Sequence, residues 1–295
     1  KNATRAGRLE WQPGIFTLLM KEETELLVIG DLHGCYNNLI AMLEQSCFCE
    51  KLDQGEDVYL VLLGDYFDRG RHAVDGILPT LLDLIRRYPG RIAPLQGNHE
   101  LLKSQDPGYI ACSNPSETWS FWMPYLGPQG MKSLYALFNR MMPLAVYCSN
   151  GIFLSHAGIP DDDFLSGFQG LVDFKQADKN RASNPTALNL LWTDPGKMQS
   201  LPSSSINPFH RPFGTLQFDA FMEKIGGRLM IRGHEEKPDG VEFTYPDRLI
   251  TLFSAGGEGN PHAEGSYRNV VPRYLRIRGN RIQACRILWD RVEGR

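Results

Sequence analysis

The sequence predicts an α/β fold, and three observations carry the prediction. Strand-length apolar runs, each ending in a glycine-bracketed polar loop, recur through the first hundred residues. Helical stripes follow the first two of these loops. The second half then changes to short strand-like runs, the last two joined by Gly279-Asn280. Strand, loop and helix in repetition is the α/β rhythm in which sites lie beyond the carboxyl ends of strands.

Residues 25–29 read as a buried strand that stops at Gly30. Over residues 37–45, Leu39, Ile40, Met42 and Leu43 make a helical stripe. Residues 58–63 form the second strand, residues 73–88 a helix with Ile77, Leu81, Leu84 and Ile85 inward, and residues 91–95 the third strand. Residues 118–142 are rich in aromatic residues and Met, and Pro124 and Pro128 interrupt them, which predicts a pair of cap helices. From residue 144 the pattern is β, with strands over 144–148, 152–155, 229–231, 249–253, 270–278 and 281–289 and a hairpin turn at Gly279-Asn280. Between residues 159 and 213 the chain is polar and rich in Pro, Ser and Asp. That stretch reads as long surface loops with one short helix, the kind of region where substrate choice resides. With no repeat and no linker, the reading is one domain over residues 1–295.

Composition narrows the function classes. The chain has 295 residues, 42% of them hydrophobic, enough for a sizeable core. A formal net charge of −3 leaves no electrostatic footprint for nucleic acid or an anionic membrane, so neither is expected as a partner. Any affinity for phosphate must come from a local site. No apolar run approaches a membrane span, and the N-terminus shows no signal-peptide h-region. Cys35, Cys47, Cys49, Cys112, Cys148 and Cys285 form no C-x-x-C pair. They read as reduced packing residues, which points to a cytoplasmic protein.

Five strand ends carry acidic, amide or imidazole side chains suited to hard divalent metals. They are Gly30-Asp31-Leu32-His33-Gly34, Gly64-Asp65-Tyr66-Phe67-Asp68-Arg69-Gly70, Gly97-Asn98-His99-Glu100, Ser155-His156-Ala157-Gly158 and Arg232-Gly233-His234-Glu235. One Asp-x-His arises easily by chance, and a lone His156 or His234 would read as a satisfied core histidine. Five such pieces, each after an apolar run, do not arise that way. In this order they resemble the phosphoprotein phosphatase branch of the calcineurin-like metallophosphoesterases, which are serine/threonine phosphatases. Leu191-Trp192-Thr193-Asp194-Pro195 is similar to that family's Leu-Trp-Ser-Asp-Pro segment, and Leu252-Phe253-Ser254-Ala255 to its Phe-Ser-Ala strand end. The resemblance runs from about Val28 to Ala255. It implies the family's fold, a central β-sandwich flanked by helices (αββα), and a two-metal phosphatase activity by direct attack of a metal-bound hydroxide.

Such a site needs a strong nucleophile and cancellation of charge on the transferred group. Two divalent ions about 3.5–4 Å apart supply both. Asp65 is the natural bridge, ending the second strand between Asp31/His33 and Asn98. The resemblance assigns Asp31, His33 and Asp65 to the first metal, and Asp65, Asn98, His156 and His234 to the second. Manganese is the expected metal, with iron or zinc acceptable to the same ligands. The glycines around these ligands are expected where backbone turns tightly beside the metals.

Arg69, four residues after Asp65, can reach the phosphoryl oxygens with a forked guanidinium, and the resemblance gives it that role together with Asn98. Arg211, a few residues before a Phe-Gly, resembles the family's second clamp, and a surface-loop arginine is the alternative. Arg232 lies near the site in sequence, where an ion pair explains it equally well. The alkoxide leaving group needs a proton, and His99 kept cationic by Asp68 would supply it. The resemblance gives the same pair. The residues alone also allow His99 to be an outer partner of Asn98.

The chain departs from the family where eukaryotic members continue Phe-Ser-Ala with Pro-Asn-Tyr. Here Gly256-Gly257-Glu258 follows, so no aromatic contact over the site is expected from this loop, and a bacterial-type or divergent member is implied. The expected substrates are phosphoserine and phosphothreonine proteins, acted on by a monomer with no obligate regulatory subunit. The rival on the same fold is a symmetrical dinucleoside tetraphosphate hydrolase or small-molecule phosphatase. A catalytically dead scaffold would lack a ligand or the acid, and every position is filled. A nuclease is disfavoured by the net charge and by Glu236 in place of a second histidine after His234.

Overall fold

A computed structural model of the chain describes residues 9–105, 108–111, 117–197 and 212–291. It opens on the hairpin β1 (Leu9–Gln12) and β2 (Ile15–Leu18). Then follow β3 (Glu25–Ile29), α1 (Tyr36–Ser46), α2 (Phe48–Asp53), β4 (Val58–Leu62), α3 (Ile77–Arg87) and β5 (Ile92–Pro94). A small hairpin, β6 (Leu102–Gln105) and β7 (Gly108–Ala111), precedes α4 (Glu117–Met141). After it come β8 (Ala145–Cys148), β9 (Ile152–Ser155), and the helices α5 (Asp162–Gly167), α6 (Phe174–Ala177), α7 (Pro185–Trp192) and α8 (Thr215–Ile225). The chain closes with β10 (Leu229–Arg232), β11 (Val241–Thr244), β12 (Leu249–Leu252), β13 (Arg273–Arg278) and β14 (Arg281–Arg286).

Two sheets pack face to face, one ordered β1-β2-β8-β9-β10-β12-β11 and the other β14-β13-β3-β4-β5. Side-chain alternation explains the layers, because successive residues of a strand face opposite sides. On β3, Leu26 and Val28 meet Val61, Leu154, Ile231 and Ile250 in the space between the sheets. Leu27 and Ile29 face outward instead, onto Leu39, Met42, Ile77 and Leu81 of α1 and α3. Phe153, Met230 and Leu249 do the same on the other sheet, against Phe174, Leu190, Phe218 and Phe221. The central strands of both sheets are therefore buried on two faces, and the αββα sandwich that the resemblance implied is what forms. β3, β4 and β5 are parallel, as are β9, β10 and β12, so their carboxyl ends gather at one rim.

The last two strands are shorter than expected, Arg273–Arg278 and Arg281–Arg286, with a 3₁₀ turn at Trp289–Arg291, and three further adjustments follow. The helix expected from residue 73 begins at Ile77, because Arg71–Ala73 forms a 3₁₀ turn. α4 is broken at Gly127 (φ 61°, ψ 178°), next to Pro128, which yields the expected pair. The stretch over 159–213 is corrected. Its described part folds into α5, α6 and α7 with two 3₁₀ turns, Leu171–Asp173 and Arg181–Ser183. α5 and α6, of six and four residues, are too short to show a 3.6-residue period, and α7 shows it over only two turns. Burial of Phe174, Leu190 and Leu191 holds them down, and side-chain caps start them: Asp161 accepts from Phe164 N (2.9 Å) and Asn184 from Ala187 N (3.1 Å). β1, β2, β6, β7 and β11, each of four residues, were not read from the sequence, and neither were α2 and α8. Cys35 and Cys148 are buried as expected, Cys47 is exposed, and Cys112 lies outside the described residues.

Candidate metal centre

Each candidate ligand stands where a buried strand runs out. Asp31 follows β3, Asp65 follows β4, Asn98 lies just beyond β5, His156 follows β9 and His234 follows β10. Because both sheets are parallel here, the five loops converge at one rim. Asp31 itself bridges to Phe253 beyond β12, and Gly30 N donates to Ser254 Oγ (2.8 Å), which locks the two sheets together beneath the site. The loops touch so closely that a Cβ on Gly34 (φ 76°) would lie 2.2 Å from Gly70 Cα, and one on Gly97 2.2 Å from Asp65 Oδ1. His33, Asp65, Arg69 and His234 all take positive φ, between 41° and 72°. Such backbone costs on the order of 1–3 kcal/mol each and persists where the surroundings over-determine it.

Two groups of donors form. Asp31, His33 and Asp65 make one, and Asp65, His156 and His234 the other, with the donor atoms of each group within 4.8 Å of one another. Asp65 belongs to both. Asn98 Oδ1 lies 2.8 Å from His156 Nε2 and 3.0 Å from His234 Nδ1, so it faces the second group. His33 Nε2 lies 3.8 Å from Asp31 Oδ2 and 3.7 Å from Asp65 Oδ2.

The donor chemistry fits divalent cations. His156 Nδ1 donates to Leu63 O (2.8 Å) and His33 Nδ1 to Asp68 Oδ1 (2.7 Å). Both partners are pure acceptors, so the inward Nε2 atoms keep lone pairs for a metal. Burial pushes the Asp31 carboxyl up to about 7, and the neighbouring Asp65 adds to it, against the opposing pull of His156 and the His234 amide. A divalent cation would reverse that desolvation, since it favours the charged form. Burial likewise opposes charge on Asp65, but His156, His99 and His33 outweigh it and hold the carboxyl below its usual range.

Asp68 links the two predicted roles. One carboxylate oxygen takes His33 and the other lies against His99 Nδ1, so a single residue orients a candidate ligand and the candidate acid. Burial opposes charge on His99, and Asp65 and Asp68 overcome it, raising the imidazole to about 9. Its Nε2 is 3.3 Å from Arg69 Nη2 and 3.8 Å from Asp65 Oδ2, beside the donor groups. Arg69 stands at the mouth, its side chain 31% exposed. Arg232 is elsewhere occupied: fully buried, it pairs with Asp194 (2.6 Å) and Glu235 (2.5 Å) and donates to Ala157 O, behind His234. That pairing explains the Leu-Trp-Thr-Asp-Pro segment, whose Trp192 also meets the His234 ring edge-on at 5.9 Å. Arg211 lies outside the described residues.

Two residues escaped the sequence reading. Glu100, fully buried, accepts from the amides of Asp65 (2.9 Å), Gly97 (3.0 Å) and Tyr66 (2.8 Å), and so ties two ligand loops together. An acid directly before the apolar Leu101-Leu102 was the available signal. Tyr267 supplies an aromatic contact from outside the Gly256-Gly257-Glu258 loop, from which none was expected. It comes from a 3₁₀ turn, Gly265–Asn269, stacks on His33 at 5.2 Å and meets Arg69 through its hydroxyl. Nothing local in the sequence marks it.

The chain belongs to the calcineurin-like phosphoesterase family, whose model matches residues 24–238 and so includes every candidate ligand. Human serine/threonine-protein phosphatase 5 is 30% identical over 243 residues, covering 80% of this chain and 44% of the human protein. The chain spans about half the length of the curated relatives it matches. A solved Saccharomyces cerevisiae protein serine/threonine phosphatase, described as similar to human PP5, superposes with a TM-score of 0.69 at 21% identity. That match covers 93% of this chain and 84% of the yeast one. A cold-active protein-tyrosine phosphatase of a Shewanella species gives 0.60 at 16% identity, over 92% and 80%. Both likenesses establish the fold. No helix among the described residues is long and apolar enough to cross a membrane.

Proposed function

We propose that the chain is a metal-dependent phosphomonoesterase acting on phosphoserine and phosphothreonine in proteins. What carries this reading is the sharing of Asp65 between two donor groups, with an imidazole held by a carboxylate directly beside them. Two divalent ions, manganese first and iron or zinc as alternatives, would be held by Asp31, His33 and Asp65 and by Asp65, Asn98, His156 and His234. When bound, they supply an acidified water and neutralise charge on the phosphoryl oxygens.

The chain's own side chains do the rest. His99, cationic against Asp68, carries a proton on Nε2 and gives it to the serine or threonine oxygen as the phosphorus–oxygen bond breaks. Arg69 offers forked N–H donors to the non-bridging oxygens, and the Asn98 amide and Arg211 complete the phosphate contacts. Relatives named serine/threonine phosphatases support the choice of substrate.

The test is a paired assay on metal-stripped, manganese-reloaded chain with phosphothreonine peptide, phosphotyrosine peptide and dinucleoside tetraphosphate. Manganese-dependent release from the phosphothreonine peptide, with the highest kcat/KM of the three, is the expected result. A preference for the nucleotide would keep the metal site and overturn the substrate. A preference for phosphotyrosine would do the same.

A further inference from the structure

At the opposite end of β3 from the metal ligands, the sheet carries a second concave site. Register builds it. Glu25 on β3 pairs with Arg278 on β13, which pairs in turn with Arg281 on β14, and one row along Arg276 pairs with Gln283. Residues two apart on a strand share a face, so Arg276 and Arg278 point the same way, as do Arg281 and Gln283. This is the outward face, where α2 covers the sheet and brings in Lys51. The six residues line an open pocket of about 260 Å³. Asp31 is six steps along the chain from Glu25, on the order of 20 Å at about 3.3 Å per extended residue.

The charges in this pocket do not balance. Glu25, only 2% exposed, takes Lys51 Nζ (2.8 Å), Arg276 Nε (3.0 Å) and Arg278 Nη2 (2.9 Å). Glu56 adds a second carboxylate, 3.8 Å from Arg278. Arg281 forms no ion pair among the described residues. Four cations thus meet two carboxylates, and the excess of two positive charges faces the opening. The Arg276 and Arg278 side chains are 32% and 55% exposed, so donors not turned toward Glu25 remain available to a ligand.

We propose that this pocket is an anion site, separate from the metal centre, that takes a tetrahedral phosphate-class dianion. The anion is either free phosphate or a phosphoryl group carried by a protein. Guanidinium forks match that geometry, and Glu25 on the floor holds Lys51, Arg276 and Arg278 in place before the ligand arrives, which lowers the ordering cost of binding. Cations along an edge strand such as β14 can also serve only to deter strand pairing. That role needs neither a concavity nor a buried carboxylate drawing three cations onto one face.

The test titrates inorganic phosphate by calorimetry into the full chain carrying Asp65→Asn, which disables the metal centre, with and without Arg278→Gln and Arg281→Gln. One bound phosphate in the first chain, at least tenfold weaker in the second, is the expected result. Absence of binding in the first, or equal affinity in both, overturns the proposal. Circular dichroism of both chains controls for folding, and Gln283→Glu, which sets a negative charge beside Arg276 in the pocket wall, must also weaken phosphate. A peptide carrying a phosphonate in place of phosphoserine separates the sources: displacement of phosphate by the peptide assigns a protein-borne group, and no displacement assigns the free anion. Neither result depends on turnover, so failure here is distinguishable from failure of the proposed activity.

Discussion

The two ends of β3 are charged in opposite senses. Beyond its carboxyl end, the buried acids Asp31, Asp65, Asp68 and Glu100 converge with His33, His156 and His234, and Arg69 stands at the rim. At its amino end, one buried acid, Glu25, is outnumbered by cations. The backbone differs as well. The metal end is assembled from loops in which the candidate ligands His33, Asp65 and His234 take positive φ, whereas the amino end follows regular strand register. Loops held in strained conformations aim donors from five strands at one point, which a flat sheet face cannot do. Strand register aligns residues in rows, and that suits a shallow site for a diffuse charge.

The comparison breaks first at Asp65. Asp65→Asn removes the carboxylate common to both donor groups, so manganese content should fall and turnover drop to that of the metal-stripped chain. Metal analysis beside a phosphopeptide assay checks this, and full activity with both metals retained would end the two-metal reading. His99→Asn comes next. It should lower kcat by about two to four decades with manganese still bound, as expected for loss of a general acid. Loss of metal in this variant would instead make His99 an outer partner of Asn98.

Arg69→Ala should raise KM and weaken inhibition by inorganic phosphate by about ten- to a hundredfold, the range of a lost charge-assisted hydrogen bond, while metal content stays unchanged. Unchanged phosphate inhibition would remove Arg69 from the site. Glu100→Gln tests the tie between loops. The amide keeps the shape but turns N–H groups toward N–H groups, so manganese affinity should fall by about tenfold, the lower range for outer-shell partners. Manganese affinity equal to the parent's in a competition titration would make Glu100 a packing residue only.

Much of the candidate metal end was legible in the sequence because its loops lie just beyond buried strands. Val28-Ile29 then Asp31, or Leu62-Leu63 then Asp65, puts a polar side chain where burial ends, and parallel order places those ends together. What escaped reading depended on contacts distant in sequence. Glu100 acts on backbone amides up to 35 residues away, and Arg232 finds Asp194 across 38 residues. The helices within residues 159–197 escaped for the opposite reason. α5 buries only Leu165 and α6 only Phe174 and Ala177, so no periodic stripe forms there, and the stripe of α7 (Thr186, Ala187, Leu190, Leu191) is just two turns long.

Tyr267 gives the finest test of how the metal end is held. Its ring lies parallel to His33 while its hydroxyl meets Arg69, so one residue touches both a candidate ligand and the candidate phosphate clamp. Tyr267→Phe keeps the stack and loses the hydroxyl. The hydroxyl steadies a partly exposed guanidinium that keeps its charge, and a typical hydrogen bond contributes about 0.5–1.5 kcal/mol, so KM should rise only about two- to tenfold, with kcat and metal content unchanged. Tyr267→Ala removes the ring too, leaves His33 without its stacking partner, and should lower manganese affinity as well. If both variants shift KM alike and leave the metal untouched, the tyrosine acts through Arg69 only, and the stack on His33 is packing without consequence for the ligand.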